Sequence, residues 1–236
     1  VSVTTKATST TSVTISDEVK KNLVITGTKG GSSITLGKSS DFANEVTKAV
    51  PAGTYTELSA TYDKMTGDLQ FDSPTLAGKT TESVTVTPNA AAASASITAT
   101  LTNSIITINT EEFAKLQKMA TITKLYVYTG TADDPTEENP EYTLLSTANT
   151  LETGKTLFVK PGLSNVFIRI EGKLIADETK IFSTSSQIRE SEETSITKNY
   201  SVQYSLANTQ GTLTLTINVN GTVEIVEIPV EVNPYE

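Results

Sequence analysis

Two proline–glycine turns constrain this chain more than any other feature, because each hands the backbone directly into a β-prone run. The first is Val50-Pro51-Ala52-Gly53-Thr54-Tyr55, and its weaker echo is Pro161-Gly162 after Val159-Lys160. Proline presets φ at about −65°, and glycine accepts the positive φ that other residues resist, so each pair reads as a turn. A β-prone run follows in both places, Thr54 to Tyr62 after the first turn and Asn165 to Ile170 after the second.

The turns belong to a longer internal repeat. Ser96-Ile97-Thr98-Ala99-Thr100-Leu101-Thr102-Asn103 follows the first, and Ser201-Val202-Gln203-Tyr204-Ser205-Leu206-Ala207-Asn208 follows the second. Both read Ser, β-branched, two variable positions, Ser or Thr, Leu, one variable, Asn. Pro51 to Asn103 spans 52 positions and Pro161 to Asn208 spans 47. Upstream, Val13-Thr14-Ile15-Ser16 and Ile106-Thr107-Ile108-Asn109 form a third matching pair. Three landmarks in one order imply two similar units in tandem, each with its own core. The expected division is residues 1–104 and 105–236, sizes that suit ordinary domains.

Short strands punctuated by turns fill both halves. Val1 to Thr4, Thr11 to Ile15, Leu23 to Thr28 and Ser33 to Leu36 are strand candidates, with a Gly30-Gly31 hairpin between the last two. Ala7 to Ser12 reads as loop, and Ser16-Asp17-Glu18 as the start of a single helical turn. Asp72 to Lys79 reads as a long surface loop, Glu82 to Thr87 as a strand stopped by Pro88, and Ser94 to Leu101 as the strand that completes the first unit. In the second, Asn109 caps a short helix, Glu112 completes the capping box, and Phe113, Leu116 and Met119 form its apolar stripe. Strands are then expected at Lys124 to Tyr128, Tyr142 to Leu145, Thr156 to Val159, Val166 to Glu171, Tyr200 to Leu206, Thr212 to Val219 and Thr222 to Val232. Asn220-Gly221 marks a hairpin, and Gln187 to Thr194 reads as a charged surface segment. The fold class is therefore all-β: two tandem antiparallel β-sandwiches of Greek-key, transthyretin-like type, with one short helix in the second.

Composition narrows the chemistry. The chain has no Cys and no His, which excludes disulfides and thiolate metal sites and removes the commonest general base and transition-metal ligand. A net charge of −9 argues against nucleic acid and against anionic membrane surfaces as partners. No apolar run reaches the roughly 18 residues a membrane helix needs. The densest carboxylate cluster, Asp133-Asp134 with Glu137-Glu138, matches no calcium-loop spacing and is broken by prolines. Glu190, Glu192 and Glu193 read the same way, as solvated loop. Asp68 and Asp72 flank Phe71, a pair to weigh against the two-carboxylate requirement of glycoside hydrolysis. Ser and Thr are abundant but lack an activating base. No catalytic residue, metal ligand or cofactor is expected.

One family shares the turn. The Val50–Tyr55 segment, Asp72-Ser73-Pro74 with Gly78, the Ser83–Thr87 strand and Leu101-Thr102-Asn103 together resemble the fimbrillin-like two-domain surface lipoproteins of Bacteroidetes, an uncharacterised group labelled cell adhesion proteins. Val50 stands where that family has Leu. The likeness is specific over Leu23 to Ile108 and vaguer beyond. It implies export by a lipoprotein signal and display at the outer membrane, and it supplies no ligand residues. Val1 in place of Met implies a trimmed or mature form, with any leader or lipid-bearing Cys upstream. The expected function is a non-catalytic adhesin or fimbrial subunit, its partners other pilus subunits or surface proteins or glycans, and its link to the membrane a lipid anchor only. The alternative is a glycan-binding lipoprotein of a polysaccharide uptake system. A terminal strand such as Thr222 to Val232 suits pairing with a neighbour's open sheet edge, against the plainer expectation that it closes its own sandwich.

Overall fold

The computed structural model describes residues 2–8, 13–42, 48–130, 142–145, 156–163, 165–189, 199–209, 212–219 and 222–229. Two compact units emerge, one formed by residues 1–66 and 73–103, the other by residues 67–72 and 104–236. The main boundary falls between Asn103 and Ser104, but the six-residue segment 67–72 departs from the expected division by belonging to the second unit.

The first unit begins with β1 (Ser2–Thr8), which continues through Ala7 where a loop was expected. Val13 to Ile15 forms no strand; it leads to Ser16, whose side chain accepts the Val19 amide and caps α1 (Asp17–Lys21). Then come β2 (Val24–Lys29) and β3 (Ser32–Lys38) around the Gly30-Gly31 turn, with a 3₁₀ turn over Ser39–Phe42. The run after Pro51 breaks at Thr56 into β4 (Gly53–Tyr55) and β5 (Glu57–Tyr62), because the Thr56 amide bonds the Thr28 carbonyl. The segment read as a surface loop, Asp72 to Lys79, holds β7 (Leu76–Lys79), and β6 (Leu69–Phe71) lies just before it. β8 (Val84–Val86) and β9 (Ser94–Leu101) complete the unit.

Its main sheet has the order β1-β9-β7-β5-β2-β3, and β4 and β8 form a separate antiparallel pair. β9 alternates strictly, with Ile97, Ala99 and Leu101 buried and the intervening polar positions outward, as one buried face requires. Leu23, Ile25, Leu58, Ala60 and Leu76 join them in the core. Gly78 lets β7 approach β9, since a side chain there would strike the Thr98 backbone.

The second unit opens with β10 (Ser104–Ile108) and α2 (Thr110–Gln117). Asn109 caps α2 by accepting the Glu112 amide, whereas the Glu112 carboxylate turns to Lys115 at 2.7 Å. Phe113 and Leu116 are buried, but Met119 lies past the helix end and is exposed. The remaining strands are β11 (Ala120–Thr129), β12 (Tyr142–Thr143), β13 (Leu157–Val159), β14 (Val166–Leu174), β15 (Ile181–Arg189), β16 (Asn199–Thr209), β17 (Thr212–Val219) and β18 (Thr222–Pro229). Gln187 to Arg189, read as surface segment, is the end of β15. The Asn220-Gly221 turn lies outside the described residues, but β17 and β18 pair antiparallel on either side of it.

Two sheets form this unit, β18-β17-β16-β10-β13-β6 and β12-β11-β14-β15. They share one core that includes Ile106, Leu125, Val127, Leu157, Ile168, Ile170 and Val202, and α2 contributes Phe113 and Leu116. The chain is an all-β protein of β-sandwich type with few helices, as its strand and turn pattern predicts. Among the described residues two pairings are parallel rather than antiparallel, β1 with β9 and β10 with β16.

The two units share part of their pairing order, although Val13–Ile15 forms no strand where the matching Ile106–Ile108 lies in β10. In each unit the first strand runs parallel to a late one, β1 to β9 and β10 to β16. A capped helix follows, α1 or α2. The next strand then pairs antiparallel with its successor (β2 with β3, β11 with β12) and with the strand after the Pro-Gly turn (β2 with β5, β11 with β14). Ser96 and Ser201, aligned by sequence, sit opposite Thr4 and Thr107 of their parallel neighbours. The units diverge at their ends: β7 pairs with β9, whereas β15 and β16 lie in different sheets.

Candidate functional site

The Val50–Tyr55 turn is a closed structural device. Tyr55 is buried, and its hydroxyl donates to the Pro51 carbonyl at 2.7 Å, so the ring ties the turn to the strand it starts. Burial raises the Tyr55 pKa above its ordinary value of 10.0. The ring lies against Gly27 of β2, where an added Cβ would stand 2.5 Å from the Tyr55 Cδ1. Gly53 takes φ 135°, a conformation side chains rarely adopt, and the Lys29 ammonium donates to the Ala52 carbonyl. Thr54 reaches across to Thr85 of β8 at 3.0 Å. Val50 is half-buried, and Pro51 and Ala52 are exposed.

The second turn is simpler. The Leu163 amide donates to the Lys160 carbonyl at 3.2 Å, closing a four-residue turn with Pro161 second and Gly162, at φ 81°, third. It joins β13 to β14 with no counterpart of Tyr55.

The two other sequence landmarks meet in space. Asn103 is fully buried; its Oδ1 accepts the Thr75 amide at 3.2 Å and its Nδ2 donates to the Ser73 carbonyl at 3.0 Å. The Leu-x-Asn strand end thus braces the Ser73-Pro74-Thr75 segment. On the other side of the Asp72–Ser73 peptide bond, Asp72 faces the second unit. Its amide donates to the Thr156 carbonyl at 2.9 Å, and its carboxylate accepts the Thr156 amide at 3.0 Å. Asp72 holds a left-handed φ of 52° to do so. Asn208 has no equivalent position: it lies within the β16–β17 ladder, paired with Leu213.

These bonds decide the carboxylate pair. Asp72 is committed to backbone amide capture, and Asp68 forms an exposed ion pair with Lys160 at 3.5 Å. Asp133, Asp134, Glu137, Glu138, Glu190, Glu192 and Glu193 lie outside the described residues. Among the described residues, no three His, Cys, Asp or Glu side chains gather into a metal-holding group, and no helix is long and apolar enough to cross a membrane.

Sequence reasoning missed one cluster. Tyr126 and Tyr128 point to the face of β11 opposite Leu125 and Val127, and Phe167 of β14 stacks on Tyr128 with ring centroids 5.6 Å apart. Beside them runs a charged row: Lys124 lies 3.8 Å from Glu171, whose carboxylate is 2.9 Å from the Arg169 Nε, and Arg169 also donates to the Ser183 hydroxyl at 2.9 Å. Lys124 stands over the Tyr126 ring. The signal was available in Leu125-Tyr126-Val127-Tyr128, where large residues at every position mean that both faces of the strand are covered. The chemistry of the cluster is packing and ion pairing.

No curated protein and no solved structure matches the chain. It belongs to the family described as Domain of unknown function (DUF4493), which matches residues 1–234.

Proposed function

We propose that this chain is a non-catalytic cell-surface protein, an adhesin or fimbrial subunit that works through protein or host-surface contacts and is displayed at the outer membrane as a lipoprotein. The observation that carries this reading is the employment of its polar side chains. Asp68, Asp72, Asn103, Arg169 and Glu171 are engaged in bracing strands and turns, and the one carboxylate pair weighed for catalysis is spent on an amide and an ion pair. A repeated sandwich whose polar groups support architecture suits work done by surface contact. The resemblance of the Val50–Tyr55 turn and the Asp72-Ser73-Pro74 segment to fimbrillin-like surface proteins supports the same reading.

The alternative is a glycan-binding lipoprotein. Sugar platforms use exposed aromatic faces, and here Tyr55, Tyr126, Tyr128, Tyr200 and Tyr204 are buried, which favours the adhesin. The test uses beads coated with the purified chain, offered to host epithelial cells and to bacteria of the source strain. Saturable adhesion that free protein blocks supports the proposal. Micromolar binding on a glycan array, abolished by substituting half-buried Tyr62 or Tyr142, supports the alternative. Turnover on a broad hydrolase panel overturns both.

A further inference from the structure

The connection from β8 to β9, residues 87–93, is held by little. Thr87 through Ala92 are exposed, and Ala93 is half-buried. The Ala90 amide donates to the Thr87 carbonyl at 3.3 Å, around Asn89 at a left-handed φ of 58°. Beyond that bond, Ala91 and Ala92 form no hydrogen bond with any described residue. Side chains tie other connections down: Asn103 grips Ser73 and Thr75, and Asp177 accepts the Thr179 amide and hydroxyl in the β14–β15 turn. Exposed backbone without such ties is what a protease can draw into its cleft without first unfolding a strand.

The residues also select the protease. No Lys or Arg stands from Thr80 to Ala114, and no aromatic residue from Asp72 to Glu112. A specificity pocket that holds a carboxylate for basic side chains, or a deep slot for aromatic ones, finds nothing to take in this connection. Ala90 to Ala93 instead present four methyl side chains in a row, which suit a shallow pocket for small aliphatic residues.

We propose that Ala90–Ala93 is a processing site for an endopeptidase selective for small aliphatic residues, and that the cut chain stays assembled. Water adds across the Ala91–Ala92 peptide bond, leaving a carboxylate on Ala91 and an amino group on Ala92. The two fragments hold together because each keeps a strand in the other's unit. Residues 1–91 keep β6 in a sheet of the second unit, with Leu69 opposite Val159. Residues 92–236 keep β9 in the sheet of the first unit, between β1 and β7, with Ile97, Ala99 and Leu101 buried. This inference does not depend on the adhesin reading.

The test treats the folded full chain with pancreatic elastase, whose pocket takes small residues, and identifies the products by mass. The expected result is a cut within residues 90–93 that is about tenfold or more faster than any cut inside β7 or β9, because those strands must open first. Both fragments then coelute at the size of the intact chain in native size-exclusion chromatography and separate in denaturant. A variant carrying Ala90→Lys, Ala91→Lys and Ala92→Lys, all at exposed positions, reverses the selectivity. Elastase cutting after residues 90–92 is lost, and trypsin, which has no site in the parent from residue 80 to 114, now cuts there. The proposal is overturned if elastase cuts the segment no faster than the strands beside it. It is equally overturned if trypsin spares residues 90–92 of the lysine variant, or if the nicked fragments separate without denaturant.

Discussion

The contact between Tyr55 and Gly27 makes the most quantitative claim about the first unit. Tyr55→Phe keeps the ring and removes the hydroxyl that bonds the carbonyl of exposed Pro51, at a cost of about 0.5–1.5 kcal/mol. Tyr55→Ala empties a fully buried aromatic site and costs about 3–5 kcal/mol. Gly27→Ala inserts a methyl group 2.5 Å from the ring carbon, an overpacking that costs about 1–3 kcal/mol. If the ring is the main obstacle, Gly27→Ala costs much less in the Tyr55→Ala background, where only the Leu58 Cδ2 at 3.1 Å still crowds the methyl, and the double-mutant cycle shows a coupling of about 1–2 kcal/mol. Urea unfolding followed by far-ultraviolet circular dichroism measures all four proteins, since the chain has no Trp to report by fluorescence. Additivity within about 0.5 kcal/mol refutes the argument, because Gly27 would then be tight against something other than the ring.

Other outcomes follow from the same geometry. Asn103→Ala strands the buried Thr75 amide and leaves the part-buried Ser73 carbonyl without its side-chain donor, and is expected to cost about 1–3 kcal/mol by denaturant unfolding; a change under 0.5 kcal/mol would mean water replaces the side chain. Leu58→Ala and Leu69→Ala, only eleven positions apart, are each expected to cost about 2–5 kcal/mol, but hydrogen exchange should loosen β2, β5 and β9 in the first and β10 and β13 in the second. Loosening of the same strands by both refutes the division of the chain. The Tyr55 pKa is raised, so its contribution to stability is complete below pH 10.0 and declines as pH rises through the folded-state value; Tyr55→Phe should flatten that alkaline decline in unfolding measurements. The Lys48 ammonium bonded to Asp41, with the Lys38 amide, holds the Asp41 pKa below 3.8. Its contribution is present above that pH and lost as pH falls through the folded-state value, so Asp41→Asn should soften acid unfolding, and an unchanged acid limb counts against the pair.

Local chemistry made much of the fold readable. Ser16 and Asn109 announce helix starts because a side-chain oxygen must replace missing backbone partners, and both do so. Pro161-Gly162 forms the turn its residues dictate. β9 shows its buried face in strict alternation. Errors arose where a long-range partner overrode local preference. The run after Pro51 looks continuous, yet Thr56 is drawn aside to Thr28. Met119 continues the spacing of Phe113 and Leu116, but α2 has already ended. Gln187 to Arg189 reads as charged surface because acidic residues follow it, yet it ends β15 and Ile188 within it is buried.

The segment 67–72 was illegible for a deeper reason. Three strand residues are too short for a period to declare itself, and only Leu69 among them is fully buried. Its partner strand is 84 positions away, as the Asp72–Thr156 bond measures. The motif that marks the place, Asp72-Ser73-Pro74, was visible but read as a loop signal. Each of its first two residues in fact serves a different unit, Asp72 through Thr156 and Ser73 through Asn103. Duplication explains why the units share their pairing order, and it predicts a clean joint between them. The crossover contradicts that joint, because the chain passes from one unit to the other three times, at 66–67, 72–73 and 103–104. Two of the three passages are held by the same side chain, since Asn103 sits at the last and grips the residues just past the second. Two of the four features that resemble a family signature, Asp72-Ser73-Pro74 and Leu101-Thr102-Asn103, therefore lie where the chain changes units, and their bonds brace that change.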